Sequence, residues 1–168
     1  PRVGKLYVAP GNGGTLQFGS ALLTTGRSEP SAIENVPIQA TDIEKLLAFA
    51  LANKVDFTVI GPDDPLAAGI VDRFKEAGLK VFGPTKAAAR IEASKSFAKA
   101  LMAEEHIPTA EFKVFSDYET ARAYLSAHDL PVVVKASGLA LGKGVSVCQT
   151  VGEAEAALKT IMVERVFG

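Results

Sequence analysis

One cysteine, Cys148, cannot close an internal disulfide, and two isolated histidines, His106 and His128, with no second cysteine leave no zinc-type ligand set. No apolar run approaches the roughly 20 residues that span a bilayer, and the first residues have neither the basic start nor the apolar core of a signal peptide. Charge of one sign is missing too. Eighteen basic against 19 acidic side chains leave a net charge of -1, which offers no broad field to attract nucleic acid or an anionic membrane, so any anion must be recognised locally. No Ser/His/Asp set is legible. These absences describe a soluble cytoplasmic protein without nucleic-acid or membrane partners. Its 168 residues, 48% of them hydrophobic, suffice for one good core or two small ones.

What is present divides into two grammars. "KLYVAP" (5–10) reads as a short strand stopped by Pro10 and "GNGG". Residues 15–37 keep no period and read as a loop excursion. "TDIEKLLAFALANK" offers Thr41 as a cap with Glu44 three residues on, and Ile43, Leu46, Leu47, Ala50 and Leu51 share one helical face. "DFTVIGP" reads as a buried strand, "LAAGIVDRFKEAG" as a helix running to Gly78, and "KVFGP" as another strand. Strands alternating with helices, each strand closing on Gly or Pro, predict a parallel sheet with right-handed crossovers. Beyond Pro84 comes a long helical region with a break near Ser94, then "FKVF" as a short strand, and a helix capped by Ser116 and Glu119. A glycine-bearing hairpin and a helix capped by Thr150 and Glu153 complete the pattern. The expectation is an α/β protein of two units meeting near residues 90–94. A parallel βαβ, Rossmann-like unit is followed by the start of an α+β one.

The stretch "VVVKASGLALGKGVSVC" (132–148) poses the chemical question. A β-branched run seeks burial, whereas the ammonium of Lys135 seeks water or an anion. Glycines at 138, 142 and 144 let backbone amides approach a phosphate without Cβ interference, and Lys143 adds charge. The spacing is not that of a P-loop: Gly138 stands one position too close to Gly142, and Gly144 occupies the place of the hydroxyl residue that would hold Mg²⁺. A hairpin lid over a nucleotide fits better. A flexible hairpin with a snorkelling lysine fits as well, and spacing alone leaves both open. "PGNGG" and "GPDDPL" lie at the carboxyl ends of strands, where open parallel sheets bind ligands, but they also read as ordinary turns. "GNGG" is not a dinucleotide fingerprint. Asp63 and Asp64 suit either a polar substrate or a helix start. Lys95 and Lys99 share a helix face, an arrangement usually solvated; the histidines lack partners; Cys148 reads as a small buried apolar residue.

Taken as a set in this order, "YVAPGNGGT", "ENVPIQATDIEKLLAFA", the run from "VIGPDDPL" to "HIPTAEF" and "VVVKASGLALGKGV" resemble the phosphoribosylamine–glycine ligase, or glycinamide ribonucleotide synthetase, family of ATP-grasp enzymes. The resemblance implies a pre-ATP-grasp, substrate-binding domain over 1–92, lacking the family's first strand and its glycine-rich loop. It implies the beginning of an ATP-grasp domain over 93–168, ending before the acidic and amide residues that hold the metal. The implied activity is the ATP-dependent joining of glycine to 5-phosphoribosylamine, giving glycinamide ribonucleotide, ADP and phosphate through a glycyl phosphate. The chain alone is not expected to turn over, and further purine-pathway domains are compatible with the same polypeptide.

By the same resemblance Lys95, Lys135, Gly138, Leu139, Gly142, Lys143, Gly144 and Val145 serve ATP. Pro10, Gly11, Asn12, Gly13, Gly61, Pro62 and Asp63 face phosphoribosylamine, with no covalent nucleophile and no metal ligand inside the chain. Phosphoryl transfer asks chiefly for positioning and charge neutralisation, which explains the missing triad. Residues 16–33 read as an insertion, Asp63 stands where many members have Glu, Ser137 where bacterial members usually have Asp, and Leu141 in place of a frequent alanine. Another ATP-grasp carboxylate–amine ligase, or a non-catalytic nucleotide-binding remnant, are the alternatives.

Overall fold

The computed structural model describes residues 3–15, 32–140 and 143–167. It divides into two compact units, 1–86 and 87–168.

In the first unit, β1 (Lys5–Val8) pairs in parallel with β2 (Ala32–Asn35), in the register Lys5 with Ala32 through Val8 with Asn35. β2 corrects the reading of residues 15–37 as a loop without structure. "AIEN" has only two apolar residues, adjacent rather than alternating, so its pairing with a distant strand leaves no local signature. Most of the expected 16–33 insertion lies outside the described residues. Helix α1 (Ile43–Ala52) follows, capped by Asp42, whose carboxylate accepts from the Lys45 amide at 3.3 Å; Thr41, the expected cap, sits one position too early.

The second parallel pair joins β3 (Thr58–Val59) to β4 (Val81–Phe82). The strand expected over 56–62 is only two residues long and is not buried: Phe57 is 56% and Val59 65% exposed. Its apolar composition misled, because no helix covers that side of it among the described residues. The expected single helix ahead of Gly78 is two, α2 (Asp63–Ala68) and α3 (Ile70–Glu76), parted at Gly69 with φ 99°. Leu66, Ile70, Val71 and Phe74 from these helices are buried, as are Leu47 and Ala50 from α1, and they form the core of this unit.

The second unit opens with α4 (Lys86–Ala93), which begins at the unit boundary, and α5 (Lys95–Glu104); the two part at Ser94, as expected. "FKVF" forms no strand, and α6 (Tyr118–Ser126) is capped by Asp117 rather than Ser116, its carboxylate accepting from the Thr120 amide at 2.9 Å. β5 (Val132–Lys135) and β6 (Val145–Cys148) are antiparallel, pairing Val132 with Cys148 and Lys135 with Val145. Helix α7 (Val151–Leu158) carries the expected capping box. The Thr150 hydroxyl accepts from the Glu153 amide at 3.2 Å while the Glu153 carboxylate accepts from Thr150 N–H. The helix runs into one π-helical turn, Lys159–Val163.

Strand alternation decides what the hairpin buries. Val132, Val134 and Cys148 face Ala121 and Leu125 of α6 and Ala154 and Leu158 of α7, and this cluster is the core of the unit. Cys148, 1% exposed, is the small buried residue expected, and desolvation pushes its thiol pKa up.

Candidate functional site

Since one face of the hairpin is buried, the other is fixed by alternation. Val133, Lys135, Val145 and Val147 share it, and the three valines are 51%, 42% and 66% exposed. Val133 and Val147 are absent from the sequence-based site. The signal that could have found them is the strand period counted from Lys135, once the return strand is known to start at Val145. An exposed apolar strip with a cation at its end is a surface suited to a flat, partly apolar, anionic ligand.

Beyond Lys135 the ladder continues for one bond, Ala136 N–H to Gly144 O at 2.8 Å, and the Lys143 amide closes the turn on Ala140 O at 2.8 Å. Gly144 is buried at this closure. A Cβ there would lie 2.8 Å from Ala140 Cβ and 2.9 Å from Ala136 Cβ, so the turn closes this tightly only around glycine. Gly138 is open on all sides and Leu139 is half-buried, while Gly142 lies outside the described residues. The start of the turn is tied to α5. The backbone N–H of Lys95 donates to Ser137 O at 2.8 Å, and its ammonium donates to Gly138 O at 3.1 Å. Lys95, Gly138, Lys135, Gly144 and Val145 are thus gathered on one hairpin and one helix start. Lys99 belongs elsewhere, since its ammonium donates to Thr109 Oγ1 and Ala110 O and lies over the Phe112 ring.

The predicted residues of the first unit occupy the carboxyl ends of two different strand pairs. Pro10 to Gly13 follow β1 after a cis Ala9–Pro10 bond. Gly11 has φ 74°, a backbone that disfavours other residues, and lies so close to the Asn35 side chain that a Cβ would displace it. Asn35 Nδ2 donates to Asn12 O at 2.9 Å, its Oδ1 accepts from the Thr15 hydroxyl at 2.7 Å, and Asn12 Oδ1 accepts from the Thr15 amide at 3.0 Å. Asn35 and Thr15 therefore build this turn. Both lie inside the quoted motifs, yet spacing gave them no role, because their contact with the turn depends on the unseen pairing of β2 with β1. Gly61, Pro62 and Asp63 follow β3, exposed, with Pro62 at the cap position of α2.

A surface cavity of this unit, about 600 Å³, touches none of these residues. It lies by α1 and α3, and its charges satisfy one another: Arg73 holds Glu44 at 2.8 Å, Lys45 holds Asp42 and lowers its pKa, and Asp72 accepts the Lys86 amide at 2.7 Å. It carries no site.

Among the described residues, no group of three His, Cys, Asp or Glu is placed to hold a metal ion, and no helix is long and apolar enough to cross a membrane.

Family models match end to end: the N domain of phosphoribosylglycinamide synthetase over residues 1–92 and its ATP-grasp (A) domain over residues 93–168. A phosphoribosylamine–glycine ligase from Pasteurella multocida is 51% identical over the whole chain, which spans 36% of that relative. The crystal structure of phosphoribosylamine–glycine ligase from Thermotoga maritima superposes with a TM-score of 0.70 at 30% identity, over 98% of this chain and 35% of that one. The biotin carboxylase domain of a Hydrogenobacter thermophilus 2-oxoglutarate carboxylase shares the fold, with a TM-score of 0.63 at 21% identity, over 82% of this chain and 32% of that one. The chain spans about a third of the length of its curated relatives.

Proposed function

Because this chain belongs to the phosphoribosylglycinamide synthetase family, we propose that it supplies the amine-substrate turns and the nucleotide hairpin of a cytosolic phosphoribosylamine–glycine ligase. The whole enzyme joins glycine to 5-phosphoribosylamine at the expense of ATP. A glycine carboxylate oxygen attacks the γ-phosphorus and ADP leaves; the amine nitrogen then attacks the carbonyl of glycyl phosphate, loses a proton, and phosphate departs. Glycinamide ribonucleotide, ADP and phosphate result. We take the ligase's domain division at 92/93, near the end of α4, rather than at the 86/87 limit of the compact units.

This chemistry needs charge neutralised and atoms aligned rather than a covalent nucleophile. Lys135 at the strand end, Lys143 in the turn and Lys95 at the helix start serve the phosphates. In this reading the amides of Gly138, Leu139, Gly144 and Val145 face the nucleotide, Gly142, outside the described residues, is assigned to it by the family motif, and the strip of Val133, Val145 and Val147 suits the purine ring. In the first unit, Pro10, Gly11, Asn12 and Gly13 with Gly61, Pro62 and Asp63 receive phosphoribosylamine. Asn12 spends its side-chain oxygen on the Thr15 amide, which leaves its Nδ2 for the ligand. Mg²⁺ accompanies the nucleotide in this reading, but the described residues do not form a metal cage, and no step is assigned through it.

The observation that carries the reading is the one-sided hairpin, with its inner face packed as core and its outer face presenting Lys135 among exposed valines beside a glycine-closed turn. The test is nucleotide affinity in the full-length polypeptide. Lys135→Ala and Lys143→Ala should each weaken ATP binding by about tenfold or more, the usual worth of a hydrogen bond to a charged group. Unchanged affinity in both removes the site. Offering glycine and phosphoribosylamine against other acids and amines separates this ligase from other ATP-grasp carboxylate–amine ligases.

A further inference from the structure

Three serines beside the proposed phosphate site have no role in that chemistry, and the structure joins them. A helix start leaves its first amides without intrahelical partners. In α5 the first three are all taken: Lys95 N–H by Ser137 O at 2.8 Å, Ser96 N–H by Ser137 Oγ at 3.2 Å, and Phe97 N–H by Ser94 Oγ at 3.3 Å. Two of the three partners belong to Ser137, a residue on the other side of the unit's sequence that caps this helix from outside. The hydroxyls then run as a chain, Ser137 Oγ to Ser96 Oγ at 2.7 Å and Ser96 Oγ to Ser94 Oγ at 3.1 Å. One proton on each hydroxyl suffices to fill both links, in either direction.

The chain sits where the geometry of the site is set. Ser137 lies two residues beyond Lys135 and immediately before Gly138, whose carbonyl holds the Lys95 ammonium at 3.1 Å. Lys95 is therefore bound to the turn twice, by its amide to Ser137 and by its ammonium to Gly138. Removing the Ser137 hydroxyl would keep both bonds of Lys95 to the turn and delete the two bonds to Ser96, so the helix would remain docked but free to pivot about Lys95. A pivot of this kind changes the spacing between the Lys95 and Lys135 ammonium groups without unfolding either element.

We infer that Ser137, Ser96 and Ser94 form a latch that fixes α5 to the start of the glycine turn, with Ser137 and Ser96 acting as positioning residues for the two lysines rather than as contacts to the nucleotide. This inference rests on the nucleotide reading of the hairpin. It differs from a merely structural role in what it predicts: the two hydroxyls matter as a pair, and they matter to ATP.

The experiment measures MgATP affinity by titration calorimetry in the full-length polypeptide carrying Ser96→Ala, Ser137→Ala, both together, or Ser137→Thr, with Lys95→Ala and Lys135→Ala as reference arms. Each serine-to-alanine change should weaken ATP binding by about three- to tenfold, the span expected for losing the one short hydroxyl–hydroxyl bond that both changes remove. The double variant should be no weaker than the weaker single, because either change opens the same latch. Ser137→Thr, which keeps the hydroxyl on an exposed residue, should restore affinity to within about twofold. If the serine variants bind ATP as the unaltered protein does while the lysine variants lose affinity, the latch is refuted and the nucleotide site stands. Losses that multiply in the double variant likewise refute it. If the lysine variants also bind normally, both readings fall.

Discussion

Gly144→Ala tests the packing on which the nucleotide hairpin depends. An added Cβ would lie 2.8 Å from Ala140 Cβ and 2.9 Å from Ala136 Cβ, whereas carbon atoms rest at about 3.5–4.0 Å. The overlap is thus roughly 0.6–1.2 Å on two sides. Neither neighbour can withdraw a flexible tip, because an alanine Cβ moves only with its backbone. The backbone must yield, and the bond it strains is Ala136 N–H to Gly144 O, the last rung above Lys135. Overpacking of this kind costs about 1–3 kcal/mol. Hydrogen exchange in the full-length polypeptide should therefore show the Ala136 amide exchanging about 10- to 100-fold faster, since each 1.4 kcal/mol is a factor of about ten. ATP affinity should fall with it. Gly138→Ala is the control: nothing lies within 4 Å of its Cβ position and its φ is not in the left-handed region, so the cost should stay within about 0.5 kcal/mol. Unaltered exchange and ATP affinity in Gly144→Ala, or an equal acceleration of Ala136 exchange in Gly138→Ala, would refute the reasoning.

In the first unit, Gly11→Ala should disrupt the 11–15 turn, because left-handed backbone strains a non-glycine residue and a Cβ would displace the Asn35 side chain that bonds Asn12 and Thr15; the check is loss of phosphoribosylamine binding with ATP affinity unaltered. Thr150→Ala should cost about 1 kcal/mol in denaturant unfolding, because it removes one leg of the capping box, and Thr150→Ser should recover most of that. Cys148 should resist iodoacetamide at neutral pH until the protein is denatured, since burial raises its pKa and suppresses the thiolate. The sign of its pH dependence follows. A thiol held neutral in the fold contributes stability that is fully present below its ordinary pKa and is lost as pH rises through the raised value, so the Cys148→Ala variant should show a shallower alkaline decline in melting temperature.

Elements whose signals are local were legible in the sequence. The helix break at Ser94, the Thr150–Glu153 box and the hairpin around the glycine turn each follow from residues within a few positions of one another. Cap positions were one residue off at Asp42 and Asp117 because a threonine or serine stands directly before each aspartate, and composition cannot choose between adjacent candidates. β2, and the shortness of β3, escaped for a different reason. Strand pairing is a non-local event, so "AIEN" becomes a strand only by lying beside "KLYV", while the apolar "FTVI" is a strand only over the two residues that pair with β4. The site divides along the same line. Lys135 and the glycines carry sequence signals, whereas Val133, Val147, Ser96 and Asn35 acquire meaning only from register or from a contact across many residues.

Charge alone does not select this hairpin. Exposed lysines are common in the chain, and some find oxygen partners, as Lys45 does with the Asp42 carboxylate and Lys99 with the Ala110 carbonyl. Among the described residues Lys135 has no ion-pair partner, yet an exposed unpaired lysine is ordinary too. What distinguishes it is the cost of immobilising it. A long side chain on a mobile surface gives up rotamer and backbone freedom when it grips a phosphate, which subtracts from binding. Lys135 hangs from a strand whose inner neighbours Val132 and Val134 are locked into the core and whose next residue is bonded to Gly144. Its backbone freedom was surrendered on folding, so a phosphate meets a partly prepared cation. The same reasoning explains why the buried face matters to function. Loosening Leu125 or Leu158 beneath the hairpin would weaken nucleotide binding through the anchorage of Lys135, without touching any group that meets the ligand.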